Sequence, residues 1–175
     1  EGIFCLWQIN INWKKYYNYD YSGGTLIIDL ETSLSQNKSV DIYLEYQIDV
    51  PNKSYDFGTL NHKQLRFADW YPMIPPYDVE IGFINNKPAR NWEYLAYDIS
   101  DFDFKLEYLS QQDLVVAWPA VEKIIWKNKL HYELKNARNF TWIVSPYFHK
   151  ISRKIWNTVI QSFTFMHHMW ESQAL

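Results

Sequence analysis

Asp101-Phe102-Asp103-Phe104-Lys105-Leu106-Glu107-Tyr108-Leu109 sorts its side chains by parity. Phe102, Phe104, Leu106 and Tyr108 take one side; Asp103, Lys105 and Glu107 take the other. A helix would scatter these residues around its axis. A half-buried strand separates them into a dry face and a wet one. Asp41-Ile42-Tyr43-Leu44-Glu45-Tyr46-Gln47-Ile48-Asp49-Val50 repeats the pattern with apolar even positions, and Pro51-Asn52 stops it. Leu26, Ile28 and Leu30 alternate just before. Period 2 therefore governs the chain.

Working outward, further strands are expected at residues 4–13, 92–98, 114–118, 124–126, 130–134, 140–144 and 155–166. Turn chemistry separates them at Ser22-Gly23-Gly24, Ser35-Gln36-Asn37-Lys38 and Asn85-Asn86-Lys87-Pro88. Trp126-Lys127-Asn128-Lys129 reads as a hairpin about Asn128. One stretch, at about 58–90, resists strand reading. It holds Pro72, Pro75 and Pro76 among many aromatics and is expected to be a long ordered loop. Only residues 62–67 within it show a short helical period. Short strands at regular spacing predict an all-β fold of two packed antiparallel sheets, sandwich or saddle-shaped.

The composition agrees with a globular body. The chain has 175 residues, 47% hydrophobic and 21% charged, which excludes a disordered polymer and predicts one β-domain over 1–175. Seventeen basic against 20 acidic residues leave no basic field, so no nucleic-acid partner is expected. Cys5 is the single cysteine and makes an internal disulfide impossible. No apolar run reaches the roughly 18 residues of a membrane span. The opening Glu1-Gly2-Ile3-Phe4-Cys5 is neither an initiator Met nor a basic region before an apolar core. It reads as an internal cut, so the chain is expected to be a fragment of a larger multidomain protein. Asn37, Asn52 and Asn139 each open an Asn-x-Ser/Thr tripeptide, which matters only in a secreted eukaryotic protein.

No catalytic residue is assigned. The histidines are His62, His131, His149, His167 and His168, without a His-Glu-x-x-His helix or a cysteine pair, so no metal or cofactor is expected in this chain. No Gly-x-Ser-x-Gly elbow and no phosphate-cradling Gly-rich loop occur. Asp101 and Asp103 share a strand face and read as solvated carboxylates. The unusual figure is 19% aromatic. Two readings stand. Trp and Tyr fill the inner faces of a sandwich, or Trp70, Tyr71, Trp92, Tyr94 and Tyr97 line a surface for a glycan or a protein. The aromatics of the Pro-rich loop are those expected to face outward.

Several segments, taken in order, resemble the amino-terminal β-domain of the aminopeptidase N family of zinc metallopeptidases. They are Leu26-Ile27-Ile28-Asp29-Leu30 through Tyr46, followed by Tyr55-Asp56-Phe57-Gly58; then Phe67-Ala68-Asp69-Trp70-Tyr71-Pro72, similar to a loop of many bacterial members. Ser100 to Leu106, Leu114-Val115-Val116-Ala117-Trp118 and Ala137-Arg138-Asn139-Phe140-Thr141-Trp142-Ile143-Val144-Ser145 follow. Together they cover roughly residues 21–165. The chain departs from the pattern in its shortened opening strands and in Ala117-Trp118-Pro119, where the family has glycine. The resemblance implies a non-catalytic domain that packs against a downstream catalytic domain and helps shape a peptide-binding cleft. Zinc would then sit in that missing domain, with peptide as the parent's substrate. It also implies that Gln64, ahead of the Trp-Tyr-Pro loop, is a candidate to face the substrate; Trp70, Tyr71 and Trp92 are partner-facing candidates on their aromatic chemistry alone.

Overall fold

The computed structural model describes residues 4–53, 56–61, 63–85, 96–110, 112–126 and 128–165. These residues are all-β: sixteen strands and no helix among them. The chain divides into two compact units, Glu1–Pro51 and Asn52–Leu175, where the length alone predicts one domain.

The first unit holds β1 (Phe4–Ile11), β2 (Lys14–Lys15), β3 (Tyr19–Ser22), β4 (Thr25–Ile28) and β5 (Ile42–Ile48). Its sheet runs β2-β1-β5, with β3-β4 as a separate hairpin. The β1–β2 connection places both Asn12 and Trp13 at positive φ, 47° and 68°. Such two-residue turns match the twist of the strands they join. Gly23 and Gly24 do the same for β3–β4 and meet no neighbour. Ile9 is buried, and Phe4 packs on Tyr21 and Tyr46 with centroids 5.7 and 5.1 Å away. Burial there pushes the Tyr46 phenol above its ordinary pKa.

The second unit holds β6 (Phe57–Leu60), β7 (Gln64–Phe67), β8 (Tyr77–Asp78), β9 (Gly82–Phe83), β10 (Ser100–Glu107) and β11 (Val115–Ala117). It continues with β12 (Val121–Trp126), β13 (Lys129–Ala137), β14 (Trp142–Ser145), β15 (Phe148–Ile155) and β16 (Thr158–Phe165). One sheet runs β10-β13-β12 and another β11-β14-β7-β6; β8-β9 and β15-β16 are hairpins. All pairings are antiparallel.

The parity of β10 becomes burial. Phe102, Phe104 and Leu106 turn inward while Asp101, Asp103, Lys105 and Glu107 stay exposed. Opposite them, Phe104 pairs with Tyr132 and Leu106 with Leu130. From the other sheet come Val116, Trp142 and Val144, with Leu65 and Phe67 beside them. Trp118 and Phe140 complete this core, and no disulfide assists it.

Aromatic rings do most of the filling. Trp142 stacks on Phe67 at 4.0 Å, Trp118 on Phe104 at 5.0 Å and Tyr71 on Phe140 at 4.7 Å. Trp70 stands edge-on to Phe67, Phe104, Phe140 and Trp142. Each such pair contributes about 0.5–1.5 kcal/mol beyond the area it buries. The indole Nε1 atoms of Trp70, Trp118 and Trp142 have no hydrogen-bond partner. Offset and edge-on ring packing is therefore what holds them.

Four expectations need correction. The stretch at 58–90 is not one loop: residues 57–60 and 64–67 are strands of the larger sheet, and 77–83 form a hairpin. Residues 64–67 are extended rather than helical, because β14 and β6 flank them and take their backbone hydrogen bonds. The run at 155–166 is not one strand: Trp156 and Asn157 turn the chain between β15 and β16. Residues 96–98 lie outside any strand, and 92–95 lie outside the described residues.

Candidate interaction surface

The loop after β7 is pinned from below. Asp69, at φ 49°, accepts from Asn139 Nδ2 at 2.8 Å and from the Tyr97 hydroxyl. Asn139 Oδ1 accepts in turn from the Tyr71 hydroxyl at 3.0 Å and from the Phe140 amide at 2.6 Å. Arg138 Nη1 donates to the Tyr97 carbonyl at 3.0 Å. The segments around Asp69-Trp70-Tyr71 and Arg138-Asn139-Phe140 thus meet in space. Burial pushes the Tyr71 phenol up; the backbone of Phe140 pulls it partly back, and the Asp69 carboxylate adds to the rise.

Trp70 and Tyr71 are half-buried against the core, so their rings serve the interior rather than an open surface. Gln64 is buried as well, as the first residue of β7. With its amide oxygen turned toward Arg66, that oxygen accepts from Arg66 Nε and Nη2, each 2.9 Å away. Trp92 and Tyr94 lie outside the described residues.

The outward apolar surface of this stretch lies on the β8–β9 hairpin. Asp78 Oδ1 accepts from the Glu80 and Ile81 amides at 2.8 and 3.1 Å, and Gly82 supplies the φ of 82° that brings the chain back. Tyr77 pairs with Phe83 in register, their rings edge-on at 5.1 Å. The Ile84 amide closes the base on the Pro76 carbonyl at 2.8 Å. The tight turn holds Val79 at 89% exposure and Ile81 at 74%, with Ile74, Tyr77 and Phe83 exposed beside them. Sequence reading points to this stretch through its aromatics, but not to Val79 and Ile81. The detectable signal is apolar residues either side of Asp78 and Gly82, both turn formers.

A polar cluster lies on the wet face of the β10–β13 pair. His131 Nε2 is 3.0 Å from Asp103 Oδ1 and 3.9 Å from Glu133 Oε1. The donor atoms of Asp103, His131 and Glu133 fall within 4.8 Å of one another. One imidazole and two carboxylates suit a first-row divalent metal. They also satisfy each other as a surface charge ladder, which Lys129 and Glu107 extend at 3.0 Å. His131-x-Glu133 is visible in the sequence; Asp103 joins only once the register puts it opposite Glu133.

Family models, curated proteins and solved structures yield no match to this chain. Among the described residues, no helix is long and apolar enough to cross a membrane.

Proposed function

We propose that this chain is a non-catalytic β-module, like the amino-terminal domain of an aminopeptidase N-type zinc peptidase. It packs against a catalytic domain and helps shape the cleft that admits peptide. The observation that carries the reading is the exposed apolar hairpin at 74–83. Its turn is built by Asp78 and Gly82, so its apolar side chains are presented by a defined structure rather than left over from folding. The ordered resemblance across residues 21–165 supports the same reading, as does the meeting of two of its segments at Asp69 and Asn139. Zinc belongs, on this reading, to the catalytic partner.

The test is hydrolysis of aminoacyl anilides by the purified chain in added zinc. No turnover is expected; zinc-dependent turnover overturns the reading. The same hairpin favours a second reading, a stand-alone module that binds a glycan or a protein through exposed aromatics. Glycan-array binding that disappears in Phe83→Ser, with the fold intact by circular dichroism, would favour the second over the first.

A further inference from the structure

We propose that Asp103, His131 and Glu133 form a binding site for a first-row divalent metal of the zinc type, clamped across the β10–β13 pair. This goes beyond the peptidase-like reading, which puts zinc in a separate catalytic partner, and it uses no residue of the 74–83 hairpin. It also departs from the expectation of a metal-free chain. That expectation rested on motifs local in sequence, whereas these ligands come from two strands.

The register builds the site. Asp103 stands directly opposite Glu133, and His131 lies two residues along β13 on the same face. Between those rungs Phe104 pairs with Tyr132 on the inner face, and Tyr132 is 1% exposed. The backbone that carries the ligands is therefore anchored by the core. The His131 side chain is only 15% exposed, so its ring is held rather than free to swing.

The distances suit one ion. Donors about 2.0–2.2 Å from a shared metal lie about 3–3.6 Å from each other. His131 Nε2 and Asp103 Oδ1 already stand 3.0 Å apart. Glu133 Oε1 is 3.9 Å from the same nitrogen, and its side chain, 38% exposed, has room to close in. Glu133 makes a further contact as well. A carboxylate accepts at about four positions, so one contact does not exhaust it.

The charge pattern is an independent observation. Like charges directly opposite on a sheet face are destabilising. The rung of Glu107 and Lys129 obeys that rule, with an ion pair at 3.0 Å. The rung of Asp103 and Glu133 breaks it. On its other side Glu133 stands opposite Val121, and the basic Lys105 and Lys123 stand opposite His131 instead. A divalent cation between the carboxylates offsets their repulsion with the imidazole as third ligand.

The donor set selects the metal. Magnesium and calcium prefer oxygen ligands throughout, and copper(I) prefers sulfur; an imidazole with two carboxylates suits zinc. Three protein ligands leave a fourth tetrahedral position, which opens outward past Asp103, itself 59% exposed. That position takes a water or an anionic group of a ligand.

The experiment is calorimetric titration of the full chain, freed of metal by chelator, with zinc chloride and in parallel with magnesium and calcium chloride. Zinc is expected to bind in the micromolar range, and the other two are not. Asp103→Asn and Glu133→Gln keep the side-chain shapes and are each expected to weaken zinc by about tenfold or more. Zinc should raise the melting temperature of the parent and of neither variant. In zinc-free buffer Asp103→Asn should melt no lower than the parent, because it removes one of two opposed carboxylates. Circular dichroism of each variant guards against unfolding. Absence of zinc binding overturns the proposal. So does affinity unchanged in both folded variants, which would put the ion at Cys5 or the other histidines. A lowered zinc-free melting temperature in Asp103→Asn, with no response of the parent to zinc, would make the cluster a stabilising charge ladder and nothing more. Zinc binding without turnover of aminoacyl anilides supports this site and leaves the peptidase-like reading intact, whereas turnover overturns that reading alone.

Discussion

Asn139 Nδ2 donates to Asp69 Oδ1 at 2.8 Å across a sequence gap of 70 residues. The same side chain accepts from Tyr71 and from the Phe140 amide. One amide therefore locks the loop after β7 onto the strand entry before β14. Asn139→Ala removes all these bonds and leaves the Tyr71 hydroxyl and the Phe140 amide short of a partner. The expected loss is about 2–3 kcal/mol, read as a lowered urea midpoint at unchanged m-value. Asn139→Asp keeps the acceptor but sets a second carboxylate beside Asp69, and is expected to be destabilising too. Stability equal to the parent in both would mean that the loop does not depend on this contact.

Tyr71 and Tyr46 are held above their ordinary pKa of 10.0, in both cases first by burial. The folded state then keeps each proton longer than the unfolded chain does. Their contribution is complete below pH 10.0 and is lost as pH climbs through the raised folded values. Urea midpoints between about pH 8 and 11 should fall at the alkaline end. Tyr71→Phe should make that fall shallower. A midpoint that rises with pH over this range has the wrong sign for the account.

Trp142 is buried and stacks on Phe67, whereas Trp7 is 65% exposed on β1. Trp142→Ala opens the aromatic core and is expected to cost about 3–5 kcal/mol. Trp7→Ala is expected to stay within about 0.5 kcal/mol of the parent. Thermal melts of the two variants side by side decide this. A comparable loss in both would mean that exposure does not separate structural from surface tryptophans here.

Asp78 builds the turn of the β8–β9 hairpin through the amides of Glu80 and Ile81. Asp78→Ala should speed hydrogen exchange at those two amides by about tenfold, since each loses its acceptor. The global melting temperature should move little, because the hairpin lies outside the buried core. Unchanged exchange at residues 80 and 81 would show that the turn is held by something other than this carboxylate.

Legibility in the sequence followed one-sided burial. Residues 101–108 could be read because one face of β10 is dry and selection by solvent sorts the side chains. The same force is absent from the outer half of β15 and β16, where both faces are wet. Phe148 to Lys154 accordingly shows no clean alternation, and its sequence does not announce the strand. The Trp156-Asn157 turn was equally hidden, since Trp is not a residue that turn chemistry predicts. β8 and β9 are two residues each, too short to show any period. Of the site residues, Gln64, Trp70 and Tyr71 stand out in the sequence by their chemistry and their neighbours. Whether they face inward depends on β7 lying between β14 and β6, which local pattern does not encode.

The stacked interior also turns the second unit into its own optical instrument. Trp70 and Trp142 lie 6.1 Å apart and Trp118 and Trp142 6.5 Å, close enough for their transitions to mix in a fixed chiral arrangement. Trp13, Trp126 and Trp156 sit in water at the ends of hairpin strands, far from such order. Among the described tryptophans, near-ultraviolet dichroism will therefore come mainly from the interior trio, and collisional quenching mainly from the outer ones. Melting of the sandwich and events at the hairpin tips can be followed in one cuvette, without a label.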